Sequence, residues 1–298
     1  MRYDAIIIGG SFAGLSAAMY IARARRSVCV IDAGSPRNRF AARSHGVFGQ
    51  DGSEPGAMLA TARSQVAAYP TATFVEGRAV GATREPDGFS VTLATGNVLA
   101  CARLVLAFGI SDDLPAIPGL AERWGKSVIH CPYCHGYEFR GQRLGVLSMS
   151  SASMHQAMLI PEWGPTTLYL NGGPEPDQAT FVRLRERGIL VEPAPVRALH
   201  GDGTRLAAIK LADGRTSAVD ALYVSPSTQL NSDIAQQLGC ETEEGPLGRF
   251  IRTDATKLTT VPGVYAAGDI TRPAAHSVTL ACAEGVMAAL AVHRSLIF

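Results

Sequence analysis

The chain has 298 residues, of which 47% are hydrophobic and 18% charged, and its formal net charge is +1. That length suits two compact domains. The near-neutral charge gives no reason to expect nucleic acid or an acidic membrane surface as a partner, and no apolar run is long enough to span a bilayer. Because no export signal precedes the first apolar segment, a cytoplasmic location is predicted.

The first 32 residues predict a strand–turn–helix–strand unit. Apolar strands are expected at residues 5–8 and 27–31, with a helix at 15–25 between them. The turn before the helix reads Gly9-Gly10-Ser11-Phe12-Ala13-Gly14, and the second strand ends at Asp32. A unit of this length is typical of dinucleotide-binding folds.

The residues of this first turn match the needs of a bound pyrophosphate. Gly9 permits the tight turn, Gly14 lets the helix lie close to the strand, and Ser11 is a small residue at the usual middle glycine. The amide groups at the helix N-terminus would then face the phosphates, and Asp32 would accept bonds from ribose hydroxyls. The alternative is an ordinary glycine-rich connection between a strand and a helix.

Further along the chain, short strands are expected at residues 73–76, 89–93 and 98–100, forming a meander. A buried strand at 103–109 ends in a turn at Gly109, a candidate cofactor-binding residue. The proline-rich segment 113–119 predicts a domain boundary.

Beyond that boundary, the chain repeats the plan of its beginning. A strand at 143–147, a helix at 154–160 and a strand at 167–170 follow one another, without the glycines of the first turn. Near the C-terminus, an apolar strand runs into Gly268 and Asp269, and an alanine-rich helix is expected at 278–296. Asp269 either caps a helix or binds a cofactor, and the N-terminal turn favours the cofactor.

Six cysteines are present, and only Cys131 and Cys134 are close in sequence. The other four lie in apolar segments that are typical of buried cysteines: Cys29, Cys101, Cys240 and Cys282. In a reducing compartment a close pair is catalytic or metal-binding more often than structural. Two cysteines three positions apart can form a redox-active disulfide.

Zinc is the rival ligand for this segment, because His130 and His135 flank the cysteine pair. A structural zinc site normally draws four ligands from two separated pairs, and the sequence has no second pair, so no metal site is predicted. With its near-neutral pKa, His135 is a candidate proton carrier for a thiol, the alternative being a surface or core histidine. Glu138 and His276 are candidate helpers, and His276 is equally suited to cap a helix.

The N-terminal turn, the Gly268-Asp269 segment and Cys131-Pro-Tyr-Cys134 together resemble the low-molecular-weight thioredoxin reductase family, over essentially the whole chain. The resemblance implies an α/β fold of two doubly wound three-layer domains of the dinucleotide-binding type. An FAD domain would comprise residues 1–115 and 246–298, and an inserted domain, 116–245, would carry the cysteines. Cys134 would lie against the flavin, Cys131 would exchange with the substrate, Asp269 would bind the ribityl chain, and the protein would be a homodimer.

Two departures from that family change the expected reaction. The turn at Ser148-Met149-Ser150, with Ser153 after it, lacks the glycines of an NADPH site, and residues 170–173 offer no basic side chain for a 2′-phosphate, so the inserted domain is a degenerate NAD(P)H-type domain. His135 stands where the reductases carry an acidic residue.

The string Cys-x-x-Cys-His-Gly-Tyr-Glu is instead similar to the dithiol oxidases of the gliotoxin and holomycin type. This resemblance implies oxidation of a substrate dithiol to a disulfide, with oxygen as electron acceptor. The alternatives are a disulfide reductase driven by ferredoxin or NADPH, and a non-catalytic flavin-binding redox sensor. The partners expected are a small dithiol or disulfide, or a small redox protein.

Overall fold

The chain opens with a parallel βαβ unit, seen in a computed structural model that describes residues 2–298, without the side chains of 151 and 152. Its elements are β1 (Arg2–Ile8), α1 (Phe12–Arg23) and β2 (Val28–Asp32). Helix α1 begins three residues earlier than predicted because extended Ser11 is its N-cap, and it ends before Arg25, which adopts a left-handed φ of 61°.

A second helix and five strands follow: α2 (Pro55–Ala67), β3 (Ala72–Glu76), β4 (Ala79–Glu85), β5 (Gly88–Leu93), β6 (Val98–Leu106) and β7 (Ile110–Asp113). Strand β3 pairs in parallel with β2, so the prediction that residues 73–76 belong to the meander is wrong. The strands predicted at 98–100 and 103–109 are one strand, because β6 pairs with β1 along its length.

The next eleven elements form a second unit: β8 (Val128–Ile129), α3 (Pro132–His135), β9 (Leu144–Leu147), α4 (Ser151–Leu159), β10 (Thr166–Tyr169), α5 (Gln178–Glu186), β11 (Leu190–Glu192), β12 (Val196–His200), β13 (Ala208–Leu211), β14 (Thr216–Ala218) and β15 (Ala221–Val224). Five of its strands make a parallel sheet in the order β11-β10-β9-β15-β8. Strands β12 to β14 form an antiparallel sheet, and separate apolar clusters lie on the two sides of the parallel one.

The chain then returns to the first unit through β16 (Ser227–Leu230), α6 (Ile234–Gln237), β17 (Thr242–Gly245), β18 (Gly248–Ile251), β19 (Val264–Ala266) and α7 (Val278–Ser295). Strand β16 pairs with β7, and Ile234, Ala235 and Cys240 belong to the apolar cluster of the first sheet. The sequence predicts 227–245 as part of the inserted domain; these contacts place that segment with the first unit, so the predicted boundary at 245/246 is too late in the chain.

The fold class predicted from the sequence, α/β with two three-layer units of the dinucleotide-binding type, is confirmed. In the first unit, helices α1 and α7 lie together on one face of the sheet. Their approach is close, since a Cβ on Gly285 would lie 2.1 Å from the Ala13 carbonyl oxygen. Among residues 2–298, no helix combines the length and apolar content needed to cross a membrane.

Candidate active site

The principal cleft of the molecule, about 700 Å³ in volume, is lined by residues of both units. Cofactor sites commonly occupy roughly 300–1,000 Å³. Ten of the twelve predicted site residues line it: Gly9, Ser11, Asp32, Gly109, Cys131, Cys134, His135, Gly268, Asp269 and His276. Gly14 and Glu138 are not part of this lining.

The turn between β1 and α1 requires its glycines. Gly9 has a φ of +116°, and a Cβ there would lie 2.1 Å from the Ala107 carbonyl oxygen. A Cβ on Gly14 would lie 1.8 Å from the Gly9 carbonyl oxygen, so this glycine supports the turn from behind. Ser11 faces the cleft at the N-cap, and its hydroxyl makes no capping bond. The first amide groups of a helix have no partner within it, so this turn offers donors to a ligand.

Asp32 lies at the end of β2, where the sequence predicts a ribose-binding carboxylate. Its Oδ1 accepts from the Gly34 amide at 3.0 Å, and its Oδ2 lies 3.3 Å from Nη1 of Arg63. Arg63 projects from α2, stacks on Phe74 at 4.5 Å and lines the cleft. Arg63 was not predicted as a site residue because the sequence pattern did not indicate α2.

Asp269 is paired with an arginine that no motif indicated. Arg37 donates from Nη1 to Asp269 Oδ2 at 3.0 Å and from Nε to Asp112 Oδ2 at 3.0 Å. Burial alone would lower the pKa of the Arg37 guanidinium, but the two carboxylates raise it above its usual value. The ion pairs therefore join the segment after β2, strand β7 and the C-terminal turn at the cleft wall.

The turn at Gly268 is held by the buried carboxylate of Glu284, on α7. Glu284 accepts from the Gly268 amide at 2.8 Å and from the Thr271 hydroxyl at 2.6 Å. It also forms ion pairs with Lys257 at 2.6 Å and with Arg272 at 2.9 Å. No local pattern in the sequence indicates Glu284, because the groups that it joins are distant from it along the chain.

Cys131 and Cys134 form a disulfide, with Cys131 as N-cap of α3 and Pro132 as its first residue. Their Cα atoms are 5.3 Å apart, and both residues line the cleft. Within the described part of the chain, no group of three or more His, Cys, Asp or Glu side chains is placed to hold a metal ion.

The remaining cysteines are free thiols. Cys29, Cys101 and Cys240 are buried, and Cys282 is half-buried. Burial raises the pKa of Cys29 to about 11 and that of Cys101 to about 12, so these two stay protonated near neutral pH. The disulfide at the cleft is therefore distinct from the thiols elsewhere, because a thiolate is the reactive form of cysteine.

Four of the seven histidines line the cleft: His45, His130, His135 and His276. Burial lowers the pKa of His135 below its ordinary value, which nearby Glu138 opposes and His45 reinforces. Burial likewise lowers the pKa of His130 and of His276. These three imidazoles are consequently neutral near pH 7 and suited to accept protons.

The buried ring of His276 bonds the chain on one side only. Its Nε2 lies 3.3 Å from the Arg272 carbonyl oxygen, and its Nδ1 has no hydrogen-bond partner among the described residues. Glu138 is partly exposed and lies 3.4 Å from Nε2 of His45. The sequence did not indicate His45, which belongs to a long loop of the first unit.

The turn between β9 and α4 is the equivalent, in the inserted unit, of the turn after β1. Here the Ser153 hydroxyl, fully buried, accepts from the Met149 amide at 3.0 Å and from the Ser150 amide at 3.4 Å. After β10, Asn171 adopts a left-handed φ of 54°, and its side chain accepts from the Val196 amide. Amide groups of this turn are thus satisfied within the protein.

A disulfide that lines the same cleft as the glycine turn after β1 and the Gly268-Asp269 turn defines a flavin oxidoreductase that acts on sulfur groups. More specifically, the chain belongs to the pyridine nucleotide-disulphide oxidoreductase family, whose model matches residues 3–150 and 171–285. The stretch between the two matched segments, 151–170, contains all of α4 and β10, the elements that follow the turn whose amide groups Ser153 satisfies.

Relatives and solved structures agree with this assignment. The chain is 35% identical over 283 residues to thioredoxin reductase tcpT of Claviceps purpurea, covering 89% of this chain and 86% of that protein. The oxidoreductase from Agrobacterium tumefaciens superimposes with a TM-score of 0.96 at 46% identity, covering 100% and 99% of the two chains. HlmI gives 0.93 at 38% identity, covering 99% and 93%. The predicted resemblance to thioredoxin reductase-like flavoproteins is confirmed.

Proposed function

We propose that this protein is an FAD-dependent dithiol oxidase, which closes a small dithiol to a disulfide and passes the electrons to oxygen. One observation carries the proposal. The Cys131–Cys134 disulfide lines the same cleft as the turn after β1, whereas the equivalent turn after β9 bonds its own amide groups through Ser153. Electrons then enter from thiols at the cysteine pair.

The cleft residues fit FAD. The glycine turn after β1 lines the cleft and depends on Gly9, where a Cβ would collide with the Ala107 backbone, and the hydroxyl of Ser11 in the same turn makes no capping bond. In the proposal this turn holds the pyrophosphate, Asp32 the adenosine ribose and Asp269 the ribityl chain. When bound, FAD would accept two electrons from the reduced cysteine pair and deliver them to oxygen.

The cysteine chemistry is a pair of thiol–disulfide exchanges. A substrate thiolate attacks Sγ of Cys131, the bond to Cys134 breaks, and Cys134 leaves as a thiolate. The second substrate thiolate then attacks the substrate sulfur of the mixed disulfide, which releases the oxidised substrate and a Cys131 thiolate. The substrate has lost two electrons, the cysteine pair has gained them, and the two thiol protons remain on bases of the site. The order of the cysteines follows the family resemblance.

His135 is the base proposed for those protons. It directly follows Cys134, lines the cleft and is neutral near pH 7 because burial lowers its pKa. Glu138 and His276 are proposed as helpers. The partly exposed Glu138 carboxylate adjoins the histidine group, and the unpartnered Nδ1 of His276 offers a second proton site beside the cleft.

The structure of the inserted unit favours a reaction in which no pyridine nucleotide donates electrons. The side chain of Ser153 occupies amide donors that a pyrophosphate would need, and residues 170–173 provide no cation for a 2′-phosphate. A homodimer and a cytoplasmic location also stay predictions from the family resemblance and the sequence.

The direction of electron flow can be tested with the purified protein. It should be yellow and release FAD on denaturation. Under anaerobic conditions dithiothreitol should bleach the flavin rapidly, NADPH and NADH should not, and admitted air should restore the colour with one hydrogen peroxide per dithiol. If dithiols left the flavin oxidised while reduced ferredoxin or NADPH bleached it, the protein would be a disulfide reductase instead.

A further inference from the structure

A loop of the first unit reaches the cysteine segment of the second. The loop is closed by paired backbone bonds, from the Ser44 amide to the Ser53 carbonyl at 2.8 Å and from the Gly52 amide to the Ser44 carbonyl at 2.9 Å. Arg43 donates to the Gly52 carbonyl at 2.9 Å, and Asp51 accepts from the Gly46 amide at 2.8 Å. These bonds fix the position of the intervening side chain, His45.

His45 lies between two carboxylates, one from each unit. Its Nδ1 is 3.5 Å from Asp51 Oδ1, and its Nε2 is 3.4 Å from Glu138 Oε1. The ring lines the same cleft as Cys131, Cys134 and His135. The side chain of His45 is 22% exposed and that of Asp51 is 70% exposed, so the pair spans the distance from the cleft to solvent.

The proposed dithiol oxidation has a use for such a group. Each turnover removes two protons from a dithiol at the cysteine pair and adds two protons to oxygen to form hydrogen peroxide, while His135 holds one proton at a time and must pass it on before it accepts the next. His135 is half-buried, and its pKa responds to the charges of both Glu138 and His45, so these groups are electrostatic neighbours. A positive charge on His135 is unfavourable because of burial, whereas His45 has two carboxylates beside it and water near Asp51.

We propose that His45 is the proton-exchange group of the cysteine site, which takes the proton from His135 and releases it to water beside Asp51. The proton leaves the His135 imidazolium, which becomes neutral, and His45 becomes the imidazolium that Glu138 and Asp51 hold. No electrons move in this step. The inference rests on the proposed function and adds a residue that the family motif around the cysteines does not contain.

Two carboxylates of the described residues lie within 3.5 Å of the His45 ring: Asp51 from its own loop and Glu138 from the cysteine segment. His135, on the same cysteine segment, feels the charge of His45. Because Asp51 also bonds the loop backbone, Asp51→Asn keeps an acceptor for the Gly46 amide while it removes the charge. That variant separates the electrostatic role from the fold of the loop.

The test compares His45→Gln with His200→Gln, an exposed histidine on β12, by anaerobic flavin reduction with dithiothreitol. Loss of His45 should slow reduction by about tenfold or more, less than loss of a direct general base. Added imidazole should restore the rate in proportion to its concentration, whereas the wild type and His200→Gln should not respond. Asp51→Asn should show a smaller loss with the same rescue.

A second measurement needs no turnover. In His45→Gln the pKa of His135, followed by NMR, should rise, because the charge that His45 carries after it accepts a proton lowers that pKa. A full rate in His45→Gln, or a slow rate that imidazole does not restore, would overturn the proposal. If His45→Gln failed to fold, the same two outcomes in Asp51→Asn would decide it. A wild type that dithiols do not reduce would refute the proposed oxidase itself, which is a different result.

Discussion

The turns after β1 and β9 occupy equivalent places in the two units, and they treat their amide groups in opposite ways. Gly9, Ser11 and Gly14 correspond in spacing to Ser148, Ser150 and Ser153. At the last position a Cβ on Gly14 would collide with the Gly9 carbonyl, whereas Ser153 keeps its side chain and directs the hydroxyl back at two amides. One side chain can therefore satisfy the amide groups of such a turn while the strand–turn–helix frame stays the same.

The largest effect is expected when either cysteine of the Cys131–Cys134 pair, the proposed entry point for electrons, is replaced. Cys131→Ser and Cys134→Ser should each abolish air oxidation of dithiols, because a single thiol cannot complete the exchange. Cys131→Ser should also show long-wavelength absorption from a Cys134 thiolate close to the flavin, and Cys134→Ser should not. Cys282→Ser, a half-buried free cysteine, is the matched control and should keep full activity. The reverse absorption pattern would exchange the roles of the two cysteines.

Replacing the proposed base should have the next largest effect. His135→Gln should slow flavin reduction by dithiols by roughly 10² or more. Because burial lowers the pKa of His135, the wild-type rate should persist below pH 6.5 and fall only as the imidazole becomes protonated at a lower pH. In the variant the rate should rise with pH as substrate thiols ionise, so the defect is greatest at low pH. A defect independent of pH would count against a general base.

The contrast between the two turns can be tested directly with one substitution in each turn. Gly14→Ala forces α1 away from β1, and overpacking of this kind costs about 1–3 kcal/mol, or roughly a 5- to 100-fold loss of FAD affinity. Ser153→Ala should leave the FAD content unchanged. Flavin released per chain after dialysis measures both. Equal FAD loss in the two variants would show that the first turn is not the specific cradle.

The smallest effect is expected when the second turn is opened. Ser153→Gly removes the hydroxyl from the Met149 and Ser150 amides but adds no cation for a 2′-phosphate. The charge-assisted bonds that a 2′-phosphate needs contribute about 1.5–3 kcal/mol each, and they stay missing in this variant. Reduction by NADPH should therefore remain slow, and its rate should change by less than about tenfold. Stopped-flow mixing without oxygen gives the rate. Rapid, saturable bleaching would mean that Ser153 alone prevents nucleotide binding.

Features with a local signal were predictable from the sequence, and features made by distant contacts were not. The first turn and the cysteine pair depend on residues a few positions apart, and the structure brings both to one cleft. Helix α2 was not predicted, because its apolar residues lack helical spacing. Only its cap, Glu54 before Pro55, marks its start. Arg37 and His45 reach the site through pairing with residues far along the chain, for which a single sequence has no pattern. The second domain boundary was predicted too late in the chain for the same reason, since β16 is placed by its pairing with β7.

The ion pair between Arg37 and Asp269 has a consequence for how the protein is made. Its partners are 232 residues apart, and β19, which precedes Asp269, pairs with β6. During synthesis from the N-terminus, the glycine turn and the cysteine segment leave the ribosome while one wall of the cleft has not yet been translated. Contacts of such separation form late, because the chain between them must close first. Cofactor capture should therefore follow release of the nascent chain, and ribosome-bound chains stalled before residue 264 should carry no flavin.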